Sequence, residues 1–159
     1  MIATIDKLGE VPTAVYERQI NYPVDDVWSY LTENEKLQLW FPELEIGELE
    51  IGGKIHFDLQ DGTYETMDIL EVDHGRVFAF TWDKNSVRFE LTANSFGCRL
   101  VFKEYLNEVT GHTAKDLAGW HICLDVIEAL LDGTTIRNRR GRWNKWYSRY
   151  QELIKEAML

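Results

Sequence analysis

Cysteine is scarce in this chain. Cys98 and Cys123 are the only two, and neither stands in a metal-binding or redox spacing. That excludes a disulfide framework and a cysteine-built zinc site, and it predicts two buried free thiols in a reducing, cytoplasmic compartment. No stretch approaches the roughly 20 consecutive apolar residues of a membrane span, so none is expected. Met1 to Lys7 carry neither a basic start nor an apolar run, so they do not read as a signal peptide. Positive charge is in deficit, 17 basic against 27 acidic residues, which disfavours nonspecific nucleic-acid binding by the domain body. The four histidines, His56, His74, His112 and His121, form no metal-ligand pair, and no nucleophile-elbow, Walker or dinucleotide fingerprint occurs. The expectation is therefore no metal, no cofactor and no complete catalytic site.

What the chain has is aromatic bulk. Aromatics make up 13% of its 159 residues and include six tryptophans, which must fill a large core or line a cavity. A chain of this length reads as one domain and buries about 70% of its unfolded surface without covalent staples. Ala14 to Tyr22 is rich in strand formers. Pro23 then presets a helix start, with Asp25 and Asp26 placed to favour the first turn and Val27, Trp28 and Leu31 on its apolar face. Thr32-Glu33-Asn34-Glu35 matches a capping box for a second short helix ending near Trp40-Phe41-Pro42.

From Leu44 to Tyr105 the hydrophobic period is two, with strands predicted at 44–50, 54–59, 63–72, 76–82, 86–93 and 98–105. Between them stand turn sequences such as Gly52-Gly53, Asp61-Gly62 and Asp73-His74-Gly75, short enough to imply an antiparallel meander. Phe78, Phe80 and Trp82 share a face, as do Val87, Phe89 and Leu91, and Leu100 and Phe102. Arg88, Glu90, Arg99 and Lys103 point the other way, giving a sheet with one apolar and one wet face. The cover for the apolar face is a helix over 114–131, where Leu117, Trp120, Leu124, Ile127 and Leu131 make one stripe. Gly119 within that helix predicts a close contact, and Asp132-Gly133 its end. A last helix over 135–156 carries Trp143, Trp146, Tyr147, Tyr150, Leu153 and Ile154 on one stripe.

Strand, two small helices, six-strand meander and long helix, in that order, resemble the helix-grip proteins of the START-like, SRPBCC or Bet-v-1-like superfamily. Tyr16-Glu17-Arg18, Tyr22-Pro23-Val24-Asp25-Asp26-Val27-Trp28, Leu39-Trp40-Phe41, Phe80-Thr81-Trp82 and Gly119-Trp120-His121 are similar to motifs of the bacterial relatives of the heat-shock-protein-90 ATPase activator. The resemblance spans roughly residues 10–133. It implies an α+β fold in which a curved antiparallel sheet of about seven strands wraps around the long C-terminal helix, with a cavity between them. Residues 1–133 would form this domain and residues 134–159 a helical extension, packed on the same domain or on a twin subunit. Relatives of this architecture include hydrophobic-ligand carriers, polyketide cyclases and co-chaperone domains.

Candidate ligand-binding residues are the aromatics Trp40, Phe57, Phe80, Trp82, Phe89 and Trp120, with Leu124 beside them. The alternative for this set is plain core packing. Glu104 continues the inward phase of Leu100 and Phe102, so it is either a buried acid or a carboxylate at a frayed strand end. His121 follows Trp120 on the covering helix and could reach a cavity rim or be a satisfied helix histidine. Glu65 and Asp68 lie on opposite faces of their strand, so one of them is expected to point inward.

Residues 137–149 hold six basic side chains and no acid, leaving 11 bases against 27 acids, a balance of −16, in the remainder. This cluster reads as a solvated helix face, as a partner for acids on the body or on a second subunit, or as a site for an anionic surface. The leading expectation is noncatalytic binding of a small hydrophobic or amphipathic molecule. The alternatives are a co-chaperone module acting on a chaperone in the stress response, and a cyclase- or hydrolase-like enzyme. A homodimer through the last helix is a further expectation.

Overall fold

Turns of two to a few residues between strand-forming segments leave antiparallel pairing as the only short connection. The computed structural model, which describes residues 1–158, pairs every strand that way. The strands are β1 (Thr4–Asp6), β2 (Thr13–Ile20), β3 (Leu44–Ile46), β4 (Lys54–Asp58), β5 (Tyr64–Asp73), β6 (Val77–Trp82), β7 (Asn85–Asn94) and β8 (Gly97–Tyr105). The helices are α1 (Val24–Thr32), α2 (Asn34–Trp40), α3 (Thr113–Leu131) and α4 (Arg139–Ala157). One curved sheet runs in the order β1-β2-β8-β7-β6-β5-β4-β3. It has eight strands where about seven were expected, because β1 is three residues long and too short to show a period.

The inward phase of β6, β7 and β8 follows the alternation in the sequence: Phe78, Phe80, Val87, Phe89, Leu91, Leu100 and Phe102 are all buried. In β5 the expected inward acid is absent. Met67 and Ile69 face the core, while Glu65 and Asp68 are both exposed and Asp68 pairs with Lys54. Leu70 follows outward in the same phase, and a register shift between Ile69 and Glu71 then flips the phase so that Val72 stands opposite the buried Phe78, as an extra residue in a bulge does. The capping box is also not formed. The Thr32 hydroxyl donates back to the Trp28 carbonyl at 2.8 Å, and Glu33 precedes α2 without a side-chain cap. Asn34 instead clasps Ile46 in β3, accepting from its amide at 2.8 Å and donating to its carbonyl at 2.9 Å.

α3 lies in the grip of the sheet. Trp120, 2% exposed, packs in tilted contacts against Phe102 and Trp82, with centroids 4.6 Å and 5.0 Å away. The helix ends in a complete Schellman motif: Thr134 N–H bonds the Ala129 carbonyl and Gly133 N–H the Leu130 carbonyl, with Gly133 at φ 73°. Its side chains are buried well beyond the Leu117–Ile127 stripe, because His121 and Cys123 are covered too. The second cover is α4, which folds back across α3 and reaches β1.

A polar cluster holds α4 in place. Tyr150 is fully buried, and its hydroxyl accepts from the Ala3 amide at 3.0 Å and lies 2.7 Å from His121 Nδ1. Tyr16, also buried, gives its hydroxyl hydrogen to the Leu117 carbonyl at 2.7 Å. His121 Nε2 lies 3.6 Å from an Asp125 carboxylate oxygen, an arrangement that suits a neutral imidazole protonated on Nε2 and accepting the Tyr150 hydrogen at Nδ1. Trp146 stacks on the imidazole at 3.7 Å and covers it. Nearby, the buried Arg18 binds the Met1 carbonyl at 2.9 Å and Asp125 of α3 at 3.4 Å. Tyr150→Phe keeps the ring but leaves the Ala3 amide and His121 Nδ1 unpaired, so a urea titration should show a loss of about 2–4 kcal/mol, the penalty for orphaned buried groups. A loss under about 0.5 kcal/mol would mean that the hydroxyl is dispensable.

Candidate functional site

The sheet–helix interior is nearly solid. A void beneath Trp40, Phe78, Phe80 and Phe89 measures about 10 Å³, no more than a single water needs. The large cavity lies beside this core rather than inside it. A groove of about 770 Å³ opens to solvent where the end of α2, strands β4 and β6, helix α3 and the first turn of α4 meet. Such a volume falls within the roughly 300–1,000 Å³ of small-molecule sites.

Aromatic side chains build its walls. Phe41 sits edge-on to Trp40, Phe57 and Trp82, with centroids 5.6–6.1 Å apart, and 5.9 Å from Trp120. Phe57 and Trp82 are only half-buried, so their faces are open to the groove. Trp143 of α4 closes the far side. Gly119 forms part of the lining, and a Cβ there would meet nothing within 4 Å. The expected close contact at this glycine is thus not made. Its missing side chain is room in the groove.

Of the residues named from sequence, the structure brings Trp40, Phe57, Trp82 and Trp120 together on this groove. Phe80, Phe89 and Leu124 are buried in the core beneath it. His121 points to α4 instead, held by Tyr150 and Trp146, and Glu104 is fully buried rather than frayed into water. Phe41, Gly119, Cys123, Arg139 and Trp143 join the site without having been named for it. The Trp40-Phe41-Pro42 helix stop carried a signal for Phe41. Nothing local could place Arg139 or Trp143, because a chain reversal after α3 brings them in.

The charges divide by position. Lys115 and Asp116 stand at the N-terminal end of α3, and Glu43, Arg139 and Arg140 at the other end of the groove. Burial, aided by Asp83, raises Asp116 above the ordinary aspartate value, although His112 at 3.3 Å partly offsets this. Burial pushes Cys123 up to about 12, so it lines the groove as an inert thiol. Behind the wall, burial and then Asp116 push Glu104 up to about 8, with one weak donor in Asn85 at 3.3 Å. Its Oε1 has no hydrogen-bond partner among the described residues. On the α4 side, burial first and then Arg18 push His121 down to about 3.

These two groups act on stability in opposite directions. The fold holds a proton on Glu104 that the unfolded chain loses above its ordinary value of 4.5, so this contribution is full below 4.5 and falls away as pH rises toward 8. His121 is neutral in the fold, so its contribution is full above 6.5 and falls away as pH drops toward 3. Glu104→Gln copies the neutral acid. It should raise the urea midpoint clearly at about pH 9 and little at about pH 5, flattening the alkaline decline. Equal effects at the two pH values would show that Glu104 is not protonated in the fold.

The fold has relatives. A conserved protein of unknown function from Enterococcus faecalis superposes with a TM-score of 0.80 at 30% identity, covering 95% of this chain and 91% of that one. CalU16 from Micromonospora echinospora superposes at 0.73 with 20% identity, over 96% and 94% of the two chains. A protein from Bordetella parapertussis does so at 0.72 with 20% identity, over 92% and 87%. The last two likenesses concern the fold alone. No curated protein matches the chain. Among the described residues no helix is long and apolar enough to cross a membrane. Residues 21–132 match the model of the Activator of Hsp90 ATPase homolog 1-like protein family, and this span runs from the end of β2 to the end of α3, so the chain belongs to that family.

Proposed function

We propose that the chain binds a small hydrophobic or amphipathic molecule in the aromatic groove, without transforming it. One observation carries this reading: about 770 Å³ of open space is walled by Trp40, Phe41, Phe57, Trp82, Trp120 and Trp143, although the same fold packs its interior almost solidly. Leaving the half-buried faces of Phe41, Phe57, Trp82 and Trp143 in contact with water forgoes part of the stabilisation, about 1.5–3 kcal/mol for a large side chain, that full burial would give. A ligand recovers it. An enzyme of the cyclase or hydrolase kind draws no support, because Glu104 and His121 share no polar partner and neither lines the groove.

A second reading follows from the family. An activator-type relative could act on a chaperone ATPase, and faster ATP hydrolysis by such a chaperone on addition of this protein would favour it.

The groove is tested by filling it. Gly119→Leu places a branched side chain where nothing stands within 4 Å of a Cβ. It should preserve the fold, since leucine is a better helix former by about 1 kcal/mol, and should weaken apolar-probe binding at least about tenfold, as loss of a contact surface worth 1.4 kcal/mol would. Native mass spectrometry and tryptophan-emission titration provide the readouts. If wild-type protein carries no ligand and saturating probe changes neither emission nor melting temperature, the reading fails.

A further inference from the structure

The groove is not apolar throughout, and the placement of its charges bears on which molecule it takes. Arg139 is the first residue of α4, and its Nη2 reaches across the groove to the Trp40 carbonyl at 3.4 Å and the Cys123 thiol at 3.9 Å. Both contacts are long, so a guanidinium with five donors is held at the groove with its bonding capacity mostly unspent. Arg140 stands next to it and Lys115 at the opposite end. Among the described residues none of these three cations has a carboxylate within 4.0 Å, although ion pairs are plentiful elsewhere on the molecule. The opposing lining charges are Glu43 and Asp116, and Asp116 is already engaged by His112 while its burial favours the neutral form.

From this arrangement, which rests on the binding reading above, we infer that the ligand is an amphipathic organic anion whose apolar body lies on the half-buried Phe41, Phe57 and Trp82 and whose carboxylate, sulfonate or phosphate is held by Arg139 and Arg140. Asp116 and Cys123 are seven residues apart on α3, which puts the two ends of the groove about 10 Å from each other. A body of two or three rings or a short branched chain spans that length. Arginine suits the task because its planar fork matches the two oxygens of such a head group. The remaining charge of the domain is strongly negative, so these arginines are a local exception in a field that otherwise repels anions.

Two probes of the same shape separate charge from hydrophobicity: 1-anilinonaphthalene-8-sulfonate and its neutral counterpart N-phenyl-1-naphthylamine. The Arg139→Gln/Arg140→Gln variant should weaken the sulfonate about tenfold or more, the loss expected of hydrogen bonds to a charged group, and the neutral probe far less. Raising salt on the wild-type protein should erode the sulfonate's affinity selectively, which gives the same readout without a variant. If both probes respond alike to the substitutions and to salt, or if only the neutral probe binds, the anion inference falls while the binding reading stands. If neither probe binds the wild-type groove, both fall together.

Discussion

The docking of the last helix depends on one hydroxyl group. Tyr150 Oη takes the Ala3 amide and faces His121 Nδ1, so a single buried atom ties β1, α3 and α4 together. Each partner would be an orphaned polar group without it, and such orphans cost more than a made bond gains. The arrangement therefore admits one docking of α4 rather than several. That docking in turn supplies Trp143, Arg139 and Arg140 to a groove about two to three helical turns away. The chemistry of the site is set by the last helix, while its floor belongs to the sheet.

The two buried ionisable groups divide the labour differently. His121 is kept neutral by burial and by the cations around it, and its neutrality lets it serve as an acceptor for Tyr150. Glu104 is kept neutral by burial and by Asp116, and it has almost no partner to serve. The first is a structural joint. The second lies in the central strands with no evident structural return, which marks it as a tolerated cost of the fold around the groove.

The sheet was readable because its central strands alternate cleanly: Phe78, Phe80, Val87, Phe89, Leu100 and Phe102 each take the side that period two assigns. β5 resisted, since the bulge at Leu70 reverses the phase halfway along. The long helix was readable as a stripe, but a stripe assumes one covered face. α3 is covered on two, so His121, next to Trp120 in sequence, faces α4 and not the groove. Four groove aromatics were legible as residues with nowhere else to go. The basic end of the groove was not, because sequence presents residues 137–149 as one undivided charge cluster. Only tertiary packing separates Arg139, turned across the groove, from Arg149, which lies over the Trp146 ring at 5.1 Å.

The link between Ala3 and Tyr150 spans 147 residues of chain, and Lys7 reaches Ala157 over a still longer interval. During synthesis the segment carrying Ala3 leaves the ribosome long before its partner exists, by roughly 10–30 s at ordinary elongation speeds. Until α4 is made, the nascent sheet is exposed along the side that α4 will cover, and Tyr16, joined late by His121, has no lid. A short first strand limits the hazard, since three residues offer little edge for a neighbouring chain to extend. Vectorial synthesis thus gives the brevity of β1 a use that the finished fold conceals.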